Sequence, residues 1–481
     1  MADILLAHSY HLAYDPKQVR KMQPYPPLGT LYAATALRQH GFSAAVFDPM
    51  LQDPSSGFLE MLRQEKPAIL AIYEDDFNFL SKMCLTRMRE LAWQLAQTGR
   101  DAGAIVIAHG SDATDHAKEY LQNGVDFVLV GEAEQSLVEL CASILSGCAP
   151  PNEIAGVIHL GLVQSSVKSP RNAQWKNLAK PARELIDLEP YRKAWTAAHG
   201  YFSTNVVASR GCPYRCNWCA KPISGNKFQL RSPELVAAEI RELKEIYGAQ
   251  HIWFGDDIFA LNAHWVQQFA DEVETRECAL PFKIQSRADL MSQEIVSNLK
   301  RAGCAEVWMG VESGSQRVLD SMDKGLRVAE VEAARARLGA AGIRACYFLQ
   351  FGYPGEQWDD IQQTIELVRS TRPDDIGVSF SYPLPGTTFF NRVQEQIGAK
   401  RNWTDSDDLC LMFKAAYKDE FYLAIRNALH AEVDSWHNQR PAPDWKKVWA
   451  LEETTRNSEA TAFAHDEPVR LVHLQAPQLV R

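Results

Sequence analysis

Three cysteines, Cys212, Cys216 and Cys219, stand in the stretch RGCPYRCNWC (210–219) at C-x3-C-x2-C spacing. Thiolates are soft donors that select zinc or iron–sulfur clusters. A closed tetrahedral site needs four ligands, and this stretch supplies three. The last position is either completed from elsewhere in the chain or left open for a substrate. Zinc needs a fourth ligand at sensible spacing, and none is apparent. The other seven cysteines, Cys84, Cys141, Cys148, Cys278, Cys304, Cys346 and Cys410, form no C-x2-C pair and read as buried small hydrophobes.

The elements that position these thiols follow from the alternation of apolar runs and helical patterns. STNVVASRGC (203–212) reads as a strand running into the cysteine loop. Further strands are expected at 251–257, 281–289, 306–313, 345–352 and 375–380, with helical patterns between them. Six β/α units make a partial, TIM-like (β/α)6 barrel with a lateral mouth, since a complete barrel needs eight. Asp256, Asp257, Arg287, Glu312 and Gly352 fall where these strands end, the face on which β/α barrels build their sites.

The first 145 residues carry a second alternation. Strands are expected at 3–8, 44–48, 68–73, 104–110 and 126–131, and helices at about 31–41, 79–98 and 116–124. That order predicts a doubly wound parallel sheet, so the fold class is α/β. No G-x-G-x-x-G or GK[ST] loop follows a strand, which argues against dinucleotides and nucleoside triphosphates. Residues 146–200 read as a connector with a small strand pair at GVIHL and VQSSVK. Residues 201–395 read as the barrel, and 396–481 as a mainly helical C-terminal region with a long helix over 409–437.

The net charge is −10 over 481 residues, which argues against a nucleic-acid binder. No apolar run reaches the length of a membrane span. The N-terminus lacks the basic and long apolar regions of a signal peptide. Ten cysteines without a secretory signal point to a reducing cytoplasm.

The aromatic Trp218 before the last cysteine, on the loop after the first barrel strand, completes a pattern that resembles the radical S-adenosylmethionine superfamily. FGDDIF (254–259), QSRADL (285–290), GVESGS (310–315), FGYPGE (351–356) and PLPGTTF (383–389) resemble its cobalamin-dependent subgroup. In the first 145 residues, PYPPLGTLYAATAL (24–37), AHGSDAT (108–114) and GEAEQSLVEL (131–140) are similar to that subgroup's N-terminal cobalamin-binding domain. The D-x-H-x-x-G motif of other cobalamin proteins is absent.

The resemblance implies three thiolates on a [4Fe–4S] cluster, with one iron left for S-adenosylmethionine. It implies contacts to S-adenosylmethionine from Trp218, Asp256, Asp257, Arg287, Glu312, Ser313, Tyr353 and Pro354. A corrinoid would be surrounded by Pro26, Pro27, Leu28, Gly29 and Thr30, by Tyr73, Glu74, Asp75 and Asp76, by Gly110, Ser111 and Asp112, and by Gly131, Glu132 and Glu134. Topology adds Tyr382, Thr387 and Trp403 as substrate-pocket residues. The activity implied is methylation of an unactivated carbon of a small molecule, through a 5′-deoxyadenosyl radical and methylcobalamin, with an electron donor such as flavodoxin or ferredoxin. A non-methylating radical cyclisation, ring contraction or oxidation would use the same motifs. A non-catalytic corrinoid-binding protein is the alternative from a different class, and the intact cysteines speak against it.

Overall fold

A computed structural model describes residues 2–77, 86–147, 154–160, 180–397, 411–438 and 440–457. Cys84, Cys148, Cys410, Trp403 and the VQSSVK segment lie outside them.

The first sheet has the order β2–β1–β3–β4–β5–β6. Its strands are β1 (Ile4–Ala7), β2 (Ala44–Phe47), β3 (Ile69–Tyr73), β4 (Ile105–His109), β5 (Phe127–Leu129) and β6 (Val157–His159). The first five run parallel, and β6 pairs antiparallel with β5. All five residues of β3 are buried, as expected of a parallel strand covered on both faces. Separate apolar clusters line the two faces, one around Leu70, Leu95 and Val106, the other around Leu31, Ala71 and Leu137. GVIHL of the expected connector pair thus became an edge strand of this sheet.

The second sheet has the order β14–β13–β12–β11–β10–β7, all parallel. It comprises β7 (Ser203–Val206), β10 (His251–Phe254), β11 (Phe282–Ser286), β12 (Cys304–Glu312), β13 (Arg344–Phe351) and β14 (Asp375–Phe380). These are the six expected strands, and the sheet stays open. A short antiparallel pair, β8 (Ser209–Arg210) and β9 (Gln229–Leu230), brackets the cysteine loop. Burial alternates along β11 and β14 because one face packs on helices and the other lines a half-open lumen. Side-chain caps start three outer helices: Ser232 before Pro233–Glu245, Asn262 before Ala263–Thr275 and Ser292 before Gln293–Ala302.

The C-terminal helix begins at Asp419, ten residues later than its apolar stripe suggested. Leu411, Met412 and Phe413 are consecutive and all buried, a pattern an amphipathic helix cannot satisfy. The two sheets meet through a small cluster of Leu28, Tyr32 and Phe77 from the first and Val207 from the second. The Trp195 ring N–H donates to Pro24 O at 2.7 Å, and the Asn205 amide donates to Pro26 O at 2.8 Å. Among the described residues no helix is long and apolar enough to cross a membrane.

Candidate active site

The cysteine loop leaves β8 and returns through β9. Its three thiols are half-buried, and Cys219 feels the charge of both Cys212 and Cys216. Burial pushes the Cys212 thiol up and the Cys219 thiol to about 12, against the pull of the nearby Lys221 ammonium. Lys221 knots the loop by donating to the carbonyls of Cys212 and Tyr214 and to Asn226. Among the described residues no three His, Cys, Asp or Glu side chains converge tightly enough for a single metal ion. Cys141, Cys278, Cys304 and Cys346 are buried, and Cys141, Cys278 and Cys304 belong to the apolar cores, as small hydrophobes do.

Asn217, between the second and third cysteines, ties the loop to the barrel. Its backbone N–H donates to Met322 O, and its side-chain amide donates to Ser321 O and Asp323. It accepts from the Tyr353 hydroxyl at 2.8 Å and, through its carbonyl, from Phe389 N–H. Sequence reasoning named its neighbour Trp218 and overlooked Asn217, although a short amide inside a metal-binding loop is a recognisable loop-organising signal.

Asp256 is 1% exposed, and its carboxylate accepts from Ala208 N–H at 3.1 and 3.2 Å and from the Ser209 hydroxyl. It therefore holds the backbone that leads into the cysteine loop. Burial raises its carboxyl to about 7. Asp257, next in sequence, is exposed and adds negative charge beside Cys212 and Cys219. Arg287 lies 3.9 Å above the Tyr214 ring of the cysteine loop. Its guanidinium grips Asp289 at 2.9 and 3.2 Å and donates to the carbonyls of Lys324 and Gly325. Those partners make it a clamp on the loop in this structure.

Glu312 sits at a register shift where β12 pairs with β13, with φ at +63°, a strained backbone for a residue with a side chain. Such strain at a strand end is a feature of functional sites. Its carboxylate pairs with the buried Lys324 ammonium at 2.7 Å, and that ammonium lies 6.0 Å from the Trp218 ring. Lys324 was not singled out from sequence. Ser313, by contrast, is buried against Thr364 and Ser315. Its hydroxyl lies 3.1 Å from the Thr364 hydroxyl and accepts from Ser315 N–H. Gly314 is required there, since a Cβ would come within 2.4 Å of Gln363 O. Tyr353 and Pro354 are both buried.

The expected corrinoid residues gather at the carboxyl edge of the first sheet, largely wired to one another. Asp75 accepts from Gly29 N–H at 2.9 Å, Glu74 accepts from Ser9 N–H at 2.9 Å, and Thr30 donates to Tyr73 O at 2.6 Å. Asp112 is held by Arg89 and the Tyr120 hydroxyl. Gly110, at φ +138°, lets the loops after β3 and β4 approach, because a Cβ would lie 2.8 Å from Glu74 Cβ. His109 donates to Gly131 O at 3.0 Å through Nε2 and stacks on Tyr73. Burial lowers its pKa to about 4, so it is neutral. Its Nδ1 lies 3.7 Å from the buried Asp76 carboxylate, and the Tyr73 and Ser111 hydroxyls are buried without a hydrogen-bond partner among the described residues. Unpaired polar groups at this edge fit a ligand with its own donors and acceptors, as the amide-rimmed corrin has. Glu134 pairs with Arg210, Glu132 with Gln229, and the Pro26 carbonyl with Asn205. Pro27, Leu28, Gly29 and Thr30 are buried around the start of the helix Leu28–Gln39. Of the substrate-pocket candidates, Thr387 accepts from Phe390 N–H at the start of the helix Thr388–Ile397. Tyr382 feels the charge of Arg89, on the helix Thr86–Asp101 that packs on the first sheet.

Residues 206–368 match the family model described as the Radical SAM superfamily. An uncharacterised methyltransferase of Pyrococcus horikoshii is 23% identical over 390 residues, 79% of this chain and 81% of the relative. The bacteriochlorophyllide d C-12(1)-methyltransferase of Chlorobaculum tepidum is 23% identical over 330 residues, 67% of each chain. The structure superimposes on the radical S-adenosylmethionine methyltransferase TsrM from Kitasatospora setae, solved with cobalamin and a [4Fe–4S] cluster. The TM-score is 0.67 at 18% identity, covering 84% of this chain and 76% of that one. It also superimposes on the cobalamin-dependent S-adenosylmethionine radical enzyme OxsB. There the TM-score is 0.69 at 16% identity, covering 94% of this chain and 71% of that one. The cysteine loop, the open six-stranded barrel and the sheet docked on it are thus the parts of an enzyme that carries a radical SAM domain within the fold of the cobalamin-dependent radical SAM proteins.

Proposed function

We propose that the chain is a cobalamin-dependent radical S-adenosylmethionine methyltransferase that methylates an unactivated carbon of a small molecule. One observation carries this reading. A three-thiol loop with no fourth ligand among the described residues lies between the open barrel and the carboxyl edge of the first sheet, which holds unpaired buried polar groups. When bound, a [4Fe–4S] cluster supplies a low-potential electron to S-adenosylmethionine, and cobalamin supplies a methyl carrier.

The chain's own residues hold, orient and neutralise. Cys212, Cys216 and Cys219 hold the cluster. Asp257 offers a carboxylate beside the thiols, suited to the methionine ammonium. Glu312 and Lys324 present an acid and a base at a strained strand end, suited to the polar groups of the methionine or ribose. Arg287, Asp256 and Asn217 keep the loop in place. The edge built from Tyr73, Glu74, Asp75, Asp76, Gly110, Ser111 and Gly131 borders the corrin. Tyr382, at the junction of the two domains, borders the substrate.

The division into 1–145, 146–200, 201–395 and 396–481 belongs to the same proposal. So do a one-electron donor of the flavodoxin or ferredoxin kind and a reducing cytoplasm. Anaerobic incubation of the reconstituted protein with cobalamin, reductant and S-adenosylmethionine tests the reading. Formation of both S-adenosylhomocysteine and 5′-deoxyadenosine is expected. 5′-Deoxyadenosine alone would replace methyl transfer with a non-methylating radical reaction.

A further inference from the structure

The GEAE turn after β5 makes contacts that bordering a corrinoid does not explain. Glu134 and Arg210 form a bidentate pair, with Nη1 to Oε2 at 3.0 Å and Nη2 to Oε1 at 2.5 Å, and side chains 3% and 2% exposed. Arg210 is the last residue of β8, two positions before Cys212. Across the β8–β9 pair its register partner is Gln229, which donates to Glu132 at 3.1 Å. Two acids on one turn therefore hold both strands that bracket the cysteine loop. The Arg210 guanidinium also lies 4.9 Å above the ring of Phe77, which follows the acidic loop after β3. The same turn accepts from His109 at the end of β4, through Gly131 O.

A bidentate guanidinium–carboxylate pair fixes distance and angle together, where apolar contacts permit sliding. Burial opposes ionisation of Glu134, but the charge and hydrogen bonds of Arg210 outweigh it and hold the carboxyl below the usual range. A buried pair of this kind adds little net stability over apolar residues of equal volume, and its attested use is to specify register. We infer that the Arg210–Glu134 pair is a positioning device that sets the cysteine loop at a fixed distance and orientation from the carboxyl edge of the first sheet. Glu132–Gln229 is its second strap. The inference rests on the proposed function for its purpose, since it relates a cluster site to a cobalamin site.

Pulsed EPR measures the relationship directly, as the dipolar coupling between the reduced cluster and cob(II)alamin in the doubly loaded protein. Wild type is expected to give one narrow distance distribution. Glu134→Gln should keep iron and cobalamin at wild-type stoichiometry while the distribution broadens. An unchanged width in a doubly loaded variant overturns the inference. Should Glu134→Gln fail to fold, the Arg210→Met/Glu134→Leu double variant replaces the pair with apolar volume, and the same broadening is expected of it. Amide hydrogen exchange over residues 207–231 needs no cobalamin. It should quicken about tenfold in the variant that folds, and unchanged exchange counts against the strap. A wild type that takes up iron but no cobalamin refutes the proposed function and leaves the exchange measurement to judge the strap.

Discussion

The Tyr353 hydroxyl donates to Asn217 Oδ1 at 2.8 Å, joining the loop after β13 to the cysteine loop across 136 residues of sequence. Tyr353→Phe removes the donor and leaves a buried acceptor without it. The loss is about 1–2 kcal/mol. The chain should fold, and iron should transfer to a chelator several-fold faster than from wild type. Equal release rates would mean that the hydrogen bond does not steady the loop.

Arg287 combines an ion pair, two carbonyl contacts and a ring contact with Tyr214. Arg287→Lys keeps the charge and loses the planar fork. Iron is expected to transfer to a chelator several-fold faster than from wild type, because the cysteine loop loses its clamp. Release at the wild-type rate would show that Arg287 does not hold the loop.

Lys324 and Glu312 are buried together, at 6% and 5% exposure. Lys324→Met strands a carboxylate, at a cost of about 3 kcal/mol. Glu312→Gln in the same chain removes the stranded charge and should restore more than half of the loss. Urea midpoints of the wild type, both single variants and the double variant complete the cycle. Additive losses would show that the two side chains do not act as a pair.

Glu356 closes the FGYPGE turn by accepting from Gly352 N–H at 2.7 Å. Burial raises its carboxyl from 4.5 to about 8. The folded state therefore holds this proton more tightly than the unfolded chain does. Stability then falls as pH rises between those two values, by about 2 kcal/mol from pH 6 to 8. Glu356→Gln retains an acceptor and cannot ionise, so its melting temperature should fall less over that range. Parallel slopes for the two proteins would refute the assignment.

The six barrel strands and the five parallel strands of the first sheet were legible because alternation of apolar runs with helical patterns is local. The start of the C-terminal helix was not, because burial of Leu411 to Phe413 on every side is decided by tertiary packing. The cysteines announced themselves by spacing. Lys324, Lys221 and Arg210 did not, because their roles come from partners distant in sequence or from backbone carbonyls. Glu132 and Glu134 show the same limit: their side chains pair with Gln229 and Arg210, partners that no local spacing indicates.

The most direct measurement is the EPR spectrum of the reduced, reconstituted protein before and after S-adenosylmethionine, with Cys216→Ala alongside. Wild type is expected to give a [4Fe–4S] signal whose g-values shift on addition of S-adenosylmethionine, and the variant no intact cluster. A wild-type cluster whose spectrum ignores S-adenosylmethionine, or a chain that takes up zinc in place of iron, would contradict the proposed function.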